Sequence, residues 1–110
     1  MRTNNDLLLD ILDAINAIEK YASHGRENFD SDELIQVWIL HHLLIIGEAC
    51  RIMPKEIYDA DPTIPWKGII GMRNILIHQY FSIDADIVWE MVIRDVPILK
   101  KNITRLLKGF

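Results

Sequence analysis

The chain has 110 residues, half of them apolar and a quarter charged, with a formal net charge of −4 and one cysteine. That length closes a single core but leaves no room for separate catalytic and binding domains, so residues 1–110 are expected to form one domain. The composition excludes a disordered chain, the lone Cys50 excludes an internal disulfide, and the acidic N-terminus excludes a secretory signal, so a reducing cytoplasm is the expected location.

Residues 5–22 place Leu8, Ile11, Leu12, Ile15, Ile18 and Tyr21 at three- and four-residue intervals, the pattern of a one-faced amphipathic helix. The stretch "SHGRENFDSDE" reads as a polar connection, with Ser31 or Asp30 placed to cap a second helix over residues 32–53. That helix is apolar nearly all round, from Leu34 and Ile35 through Leu43, Leu44, Ile45 and Ile46 to Ile52. A helix without a wet face must be covered on several sides, which points to a central position and to contact with a second subunit. Its uncharged run, residues 34–47, falls short of the roughly 20 residues of a membrane span and is interrupted by His41 and His42, so no membrane partner is expected.

Pro54 and "DADPTIP" mark a break with one helical turn over residues 55–58, and Pro65 fits the first turn of a third helix over residues 66–79. "FSIDAD" separates this from a fourth helix built on Ile87, Val88, Met91 and Val92. Asp95 followed by Pro97 reads as a fresh start for the last helix, which carries Ile98, Leu99, Ile103, Leu106 and Leu107. No segment alternates with period two, so the expected fold is an all-α bundle of four to five helices.

An acidic chain is at first sight a poor partner for nucleic acid, whose phosphates call for a basic surface. The average hides an asymmetry: residues 1–33 hold three basic and eight acidic side chains, whereas residues 94–110 carry Arg94, Lys100, Lys101, Arg105 and Lys108 against Asp95 alone. Such a segment serves either as a cation-rich helix end that suits the dipole or as a weak RNA-steering patch.

The informative stretch is "GMRNILIHQY", residues 71–80, where Arg73, Asn74, His78 and Tyr80 form an R-N-x3-H-x-Y pattern among Ile and Leu. Asn74 and His78, four apart, share a helix face, while Arg73 and His78, five apart, lie roughly 140° apart around the axis. One helix therefore does not easily aim both at one point: either it ends near His78, or two copies of the motif face each other across a dimer axis. Cleaving RNA without a metal needs a base for the 2′-OH, an acid for the leaving 5′-oxygen and a cation for the charged phosphorus centre. Histidine can act as base or acid near neutrality, and arginine presents a planar fork to phosphate oxygens. With six arginines and four histidines, an R-x4-H pair arises by chance about 0.2 times in this chain, so the Asn and Tyr at their places carry much of the signal.

With "IGEACR" upstream, Trp66 at the helix entry and "DADIVWEMV" downstream, this stretch resembles the HepT-like branch of the HEPN superfamily over roughly residues 6–107. The resemblance implies an all-α homodimer of HEPN type whose paired R-x4-H motifs form a metal-independent ribonuclease toxin, with Arg73 and His78 catalytic; Asn74, one turn before His78, is expected to support them by hydrogen-bonding the imidazole or the phosphate. It also implies a partner, an MntA-type nucleotidyltransferase antitoxin that transfers AMP to Tyr80. RNA, tRNA or mRNA, is the implied substrate, and no DNA is expected.

Other residues admit different chemistry. His41 and Glu48 share a face of the second helix, but no glutamate has a histidine three residues later and no H-E-x-x-H is present, so neither a metal nor a cofactor is expected. Glu48 is expected instead to pair with an arginine, Arg73 among the choices, and to orient it. Trp38, Trp66 and Trp89 are expected in packing, and Gly47 and Gly71 at close helix contacts. With no phosphate-binding glycine loop, the chain reads as a recipient of AMP rather than the transferase. A second function fits the same sequence: a non-catalytic helical subunit that holds substrate for, or regulates, a nucleotidyltransferase.

Overall fold

The computed structural model describes residues 3–78 and 84–109, with the side chain of His78 excepted. In chain order the helices are α1 (Asn4–Ala22), α2 (Arg26–Ser31), α3 (Glu33–Arg51), α4 (Lys55–Ala60), α5 (Trp66–His78), α6 (Ala85–Glu90) and α7 (Val96–Gly109), with a π-helical turn, Met91–Asp95, between the last two. No strand occurs among the described residues, and the architecture is the all-α bundle that the periodicity demands.

The two longest helices, α1 and α3, start where a side chain can take up their free N–H groups. Thr3 and Asp6 form a reciprocal capping box on α1. Asp32, rather than the expected Ser31 or Asp30, caps α3 by accepting from the Leu34 amide at 2.9 Å. The displacement follows from α2, which was expected to be loop. It is a six-residue helix that buries only Phe29, against Trp89.

The core is built from one face of α1 (Leu8, Ile11, Ile15, Ile18), one of α3 (Ile39, Leu43, Ile46), and Val88 and Ile103 from the C-terminal helices. α3 is central, packed by α1, α2 and α5, while α7 closes on α1. At 19 residues and a mean hydropathy of 1.3, α3 has the length and apolarity of a membrane-crossing helix. Here those apolar sides meet other helices, apart from a stripe holding Leu34, Val37 and Ile52 that stays exposed. Trp38 and Trp66 serve packing, each donating its indole N–H to a backbone carbonyl, of Ala17 at 2.7 Å and of Asp61 at 3.1 Å.

The break expected before the last helix is absent. Pro97 lacks the N–H that would bond Ile93 in a regular helix, and its ring would press on that carbonyl. The chain widens just before it instead, with the Val96 amide reaching back to the Met91 carbonyl, so helical backbone runs from Ala85 to Gly109.

Asp61, 6% exposed, ties the α4–α5 connection to α7. Its carboxylate accepts from the Thr63 amide at 3.1 Å, from the Thr63 hydroxyl, and from Arg105 Nη2 at 2.9 Å. Burial pushes this carboxyl up, but the Thr63 and Arg105 hydrogen bonds outweigh it and hold it below its ordinary value. A carboxyl depressed by folding stabilises fully above its unfolded value and loses that contribution as pH falls through the folded one. Thermal unfolding followed from neutrality into the acid range below about pH 5 should therefore show a loss of stability that Asp61→Asn blunts. At neutral pH that variant should be less stable by about 1–3 kcal/mol.

Candidate active site

The site begins with a glycine. At Gly47 on α3 a Cβ would collide with Cβ and Cγ of Arg73 on α5, so the two helices approach closely only because position 47 carries no side chain. This fixes the height of Arg73 beside the next residue of α3, Glu48. Arg73 Nε meets Glu48 Oε2 at 2.9 Å, and Arg73 Nη1 donates to Asn74 Oδ1 at 2.8 Å. The Arg73 side chain is 22% exposed, neither free in solvent nor sealed in the core.

Glu48 has a second partner. Arg51, the last residue of α3, donates from Nη2 to Oε1 at 2.6 Å and from Nε to Oε2 at 3.2 Å. Hydrogen bonding from Arg51, together with the charges of Arg51 and Arg73, holds the Glu48 carboxyl below its ordinary value, while burial works the other way. The carboxylate therefore stays ionised at neutral pH and keeps its grip on both guanidinia. The sequence pointed to Glu48 and to an arginine partner. It gave Arg51 no role, although a Glu-x-x-Arg pair in a helical run already places the two side chains on neighbouring positions.

α5 remains helical through His78, so Asn74 and His78 sit one turn apart on a common face, while Arg73 and His78 occupy positions roughly 140° apart. The face turned to α3 carries buried Leu76 and partly buried Ile69, Met72 and Arg73. The structure thus brings Arg73, Asn74 and Glu48 together, and it does not set Arg73 and His78 of one chain on one face. The modification candidate Tyr80 lies outside the described residues.

The features set aside in the sequence have ordinary uses. Of the C-terminal cations, Lys100 pairs with Glu19 at 2.8 Å, Arg105 with Asp61, and Arg94 lies within 4.0 Å of Glu90 and Asp95, which argues for internal charge pairing over a steering patch. His42 Nδ1 lies 2.7 Å from the Trp38 carbonyl, one turn back. Burial pushes the Cys50 thiol up to about 12, which removes it as a nucleophile near neutrality. An apolar cavity of about 410 Å³ between α3, α5 and α7 contains none of the motif residues.

The family model for HepT-like ribonucleases matches residues 11–106. The chain belongs to the HepT-like ribonuclease family. Its relatives agree. A protein of Thermococcus cleftensis named as a probable ribonuclease HepT is 37% identical over 97% of this chain and 98% of its own. A protein of Methanocaldococcus jannaschii named as a candidate RNase is 38% identical over 87% of this chain and 89% of its own, and one so named from Caldanaerobacter subterraneus is 36% identical over 83% and 81%. No solved structure matches significantly. The helical bundle is accordingly of HEPN type, and in this HepT-like chain the arginine of the R-x4-H pattern is the one clamped by Glu48 and Asn74.

Proposed function

We propose that the protein is a metal-independent endoribonuclease toxin of a HEPN/MNT toxin–antitoxin system that cuts tRNA or mRNA at a site shared by two copies of the chain. The observation that carries this reading is the clamped Arg73. A guanidinium held through Nε and Nη1 is aimed before substrate arrives, so little reorganisation is needed when charge builds on the phosphate. His78 supplies the proton transfer, as base toward the 2′-OH or as acid toward the leaving oxygen. Asn74 supports Arg73.

Three features favour pairing of chains. The positions of Arg73 and His78 diverge around α5, so the Arg73 of one copy is best completed by the His78 of the other. α5 packs chiefly on α3 and leaves Ile75 and Ile77, 56% and 46% exposed, on its uncovered sides. Gly71 has open space where a Cβ would sit, so its lack of a side chain answers no contact within the chain.

Regulation falls to Tyr80, where an MntA-type antitoxin transfers AMP. The phenol oxygen attacks the α-phosphorus of ATP and pyrophosphate leaves, which adds an anionic phosphodiester and a purine two residues from His78. Like charge and bulk then keep RNA phosphate away.

The test uses purified, unmodified protein and total RNA. Cleavage should persist in EDTA, and a strict metal requirement overturns the mechanism. With the antitoxin and ATP, intact mass should rise by AMP increments that Tyr80→Phe abolishes. Increments on a protein that never cuts RNA would identify the non-catalytic module instead.

A further inference from the structure

The R-x4-H pattern names one cation, but the carboxylate that holds it is shared by two. Arg51 chelates Glu48 through both oxygens, whereas Arg73 reaches Oε2 with Nε alone. Arg51 Nε donates to Glu48 Oε2 at 3.2 Å and Arg73 Nε lies 2.9 Å from the same oxygen, so the two guanidinia flank one point.

The charge count separates this cluster from the rest of the surface. Arg26 faces two acids, Asp30 and Asp86, and Arg94 faces Glu90 and Asp95. Lys55, Lys100 and Arg105 each face one. Among the described ion pairs, the Arg51–Glu48–Arg73 set is the one in which cations outnumber acids. On a chain of net charge −4 this is a local surplus of one positive charge that favours the approach of an anion. Arg73 and Glu48 alone would be neutral, and Arg51 supplies the surplus charge. It is also the more accessible of the two arginines, 49% exposed against 22%.

We infer that Arg51 is a second RNA-phosphate-binding residue, which holds a backbone phosphate next to the one gripped by Arg73. The inference rests on the ribonuclease reading above and extends it to a residue outside the R-x4-H motif. The plainer account of Arg51 is a cation that complements the C-terminal end of α3. That account needs no convergence on the carboxylate that orients Arg73, and it predicts no effect on RNA affinity.

The test measures binding of a short single-stranded oligouridylate across a salt series by full-length His78→Ala protein, which leaves the RNA uncut, and by the same protein with Arg51→Ala or Arg51→Lys added. Arg51→Ala should weaken binding by about tenfold and reduce the slope of log affinity against log salt by about 0.7, the value for one phosphate contact on a single strand. Arg51→Lys, which keeps the charge and loses the planar fork, should retain the slope and part of the affinity, and it serves as the folded control should the alanine variant melt early. An unchanged slope in both variants, while the parent binds RNA and the unmutated enzyme cuts it, overturns the role of Arg51 and leaves the ribonuclease reading intact. A parent that binds no RNA overturns the ribonuclease reading first and this inference with it.

Discussion

Alanine at Arg73 or at His78 should lower RNA cleavage by about 10²–10⁴-fold each, the usual range for losing a proton-transfer group or a preorganised charge at a developing oxyanion. The two losses should not add, because in the proposed mechanism both groups serve one transition state. Cleavage is measured with end-labelled RNA, while size-exclusion chromatography and thermal melting establish that each variant keeps its assembly and fold. The structure makes the two substitutions unequal in one respect. Removing Arg73 frees Glu48 to face the site with Arg51 as its remaining partner, whereas position 78 lies roughly 140° around α5 from position 73. Arg73→Ala should therefore also reduce RNA affinity, and His78→Ala should act mainly on the rate. Retained cleavage by either pure variant would sink the assignment.

Gly47→Val should be nearly as damaging to activity although position 47 touches no substrate. Its side chain would occupy the space of Arg73 Cβ and Cγ, so α5 must slide or tilt away from α3. Forcing extra atoms into a close contact destabilises by about 1–3 kcal/mol. The larger effect is on position, since a shift of about 1 Å in a group that must meet a reacting atom can cost 10²-fold in rate. Gly47→Ala is the graded control, with a smaller loss in the same direction. The measurements are thermal unfolding and single-turnover cleavage on the same preparations. A Gly47→Val protein with full activity would mean that the α3–α5 crossing does not set Arg73.

Much of this was legible in the sequence. The three- and four-residue spacing placed α1, the capped and nearly all-apolar run placed α3, and Pro65 placed the start of α5, because amphipathic spacing, caps and proline each report a local physical requirement. Where the sequence misled, a local cue had two meanings. "RENFDS" buries one residue, Phe29, too few to leave a period, and so read as loop. Asp95 and Pro97 look the same whether a helix starts there or an existing one widens to admit proline, and only the backbone path decides. The motif residues stood out because polar groups on an apolar helix need a reason. Their supports were legible in part: Glu48 was expected to orient an arginine and Gly47 to permit a close helix contact, but that Gly47 makes room for Arg73, 26 positions away, and that Arg73 shares Glu48 with Arg51 depend on where α5 crosses α3.

The angular separation of Arg73 and His78 along α5 bears on how such a protein behaves at low abundance. If neither copy carries a complete set of reacting groups, a solitary molecule is unarmed, and potency rises more steeply than dose as encounters between copies become frequent. On the proposed toxin reading, a cell making a trace of it would go unharmed without any antidote, and dilution alone would disarm what modest overproduction makes dangerous.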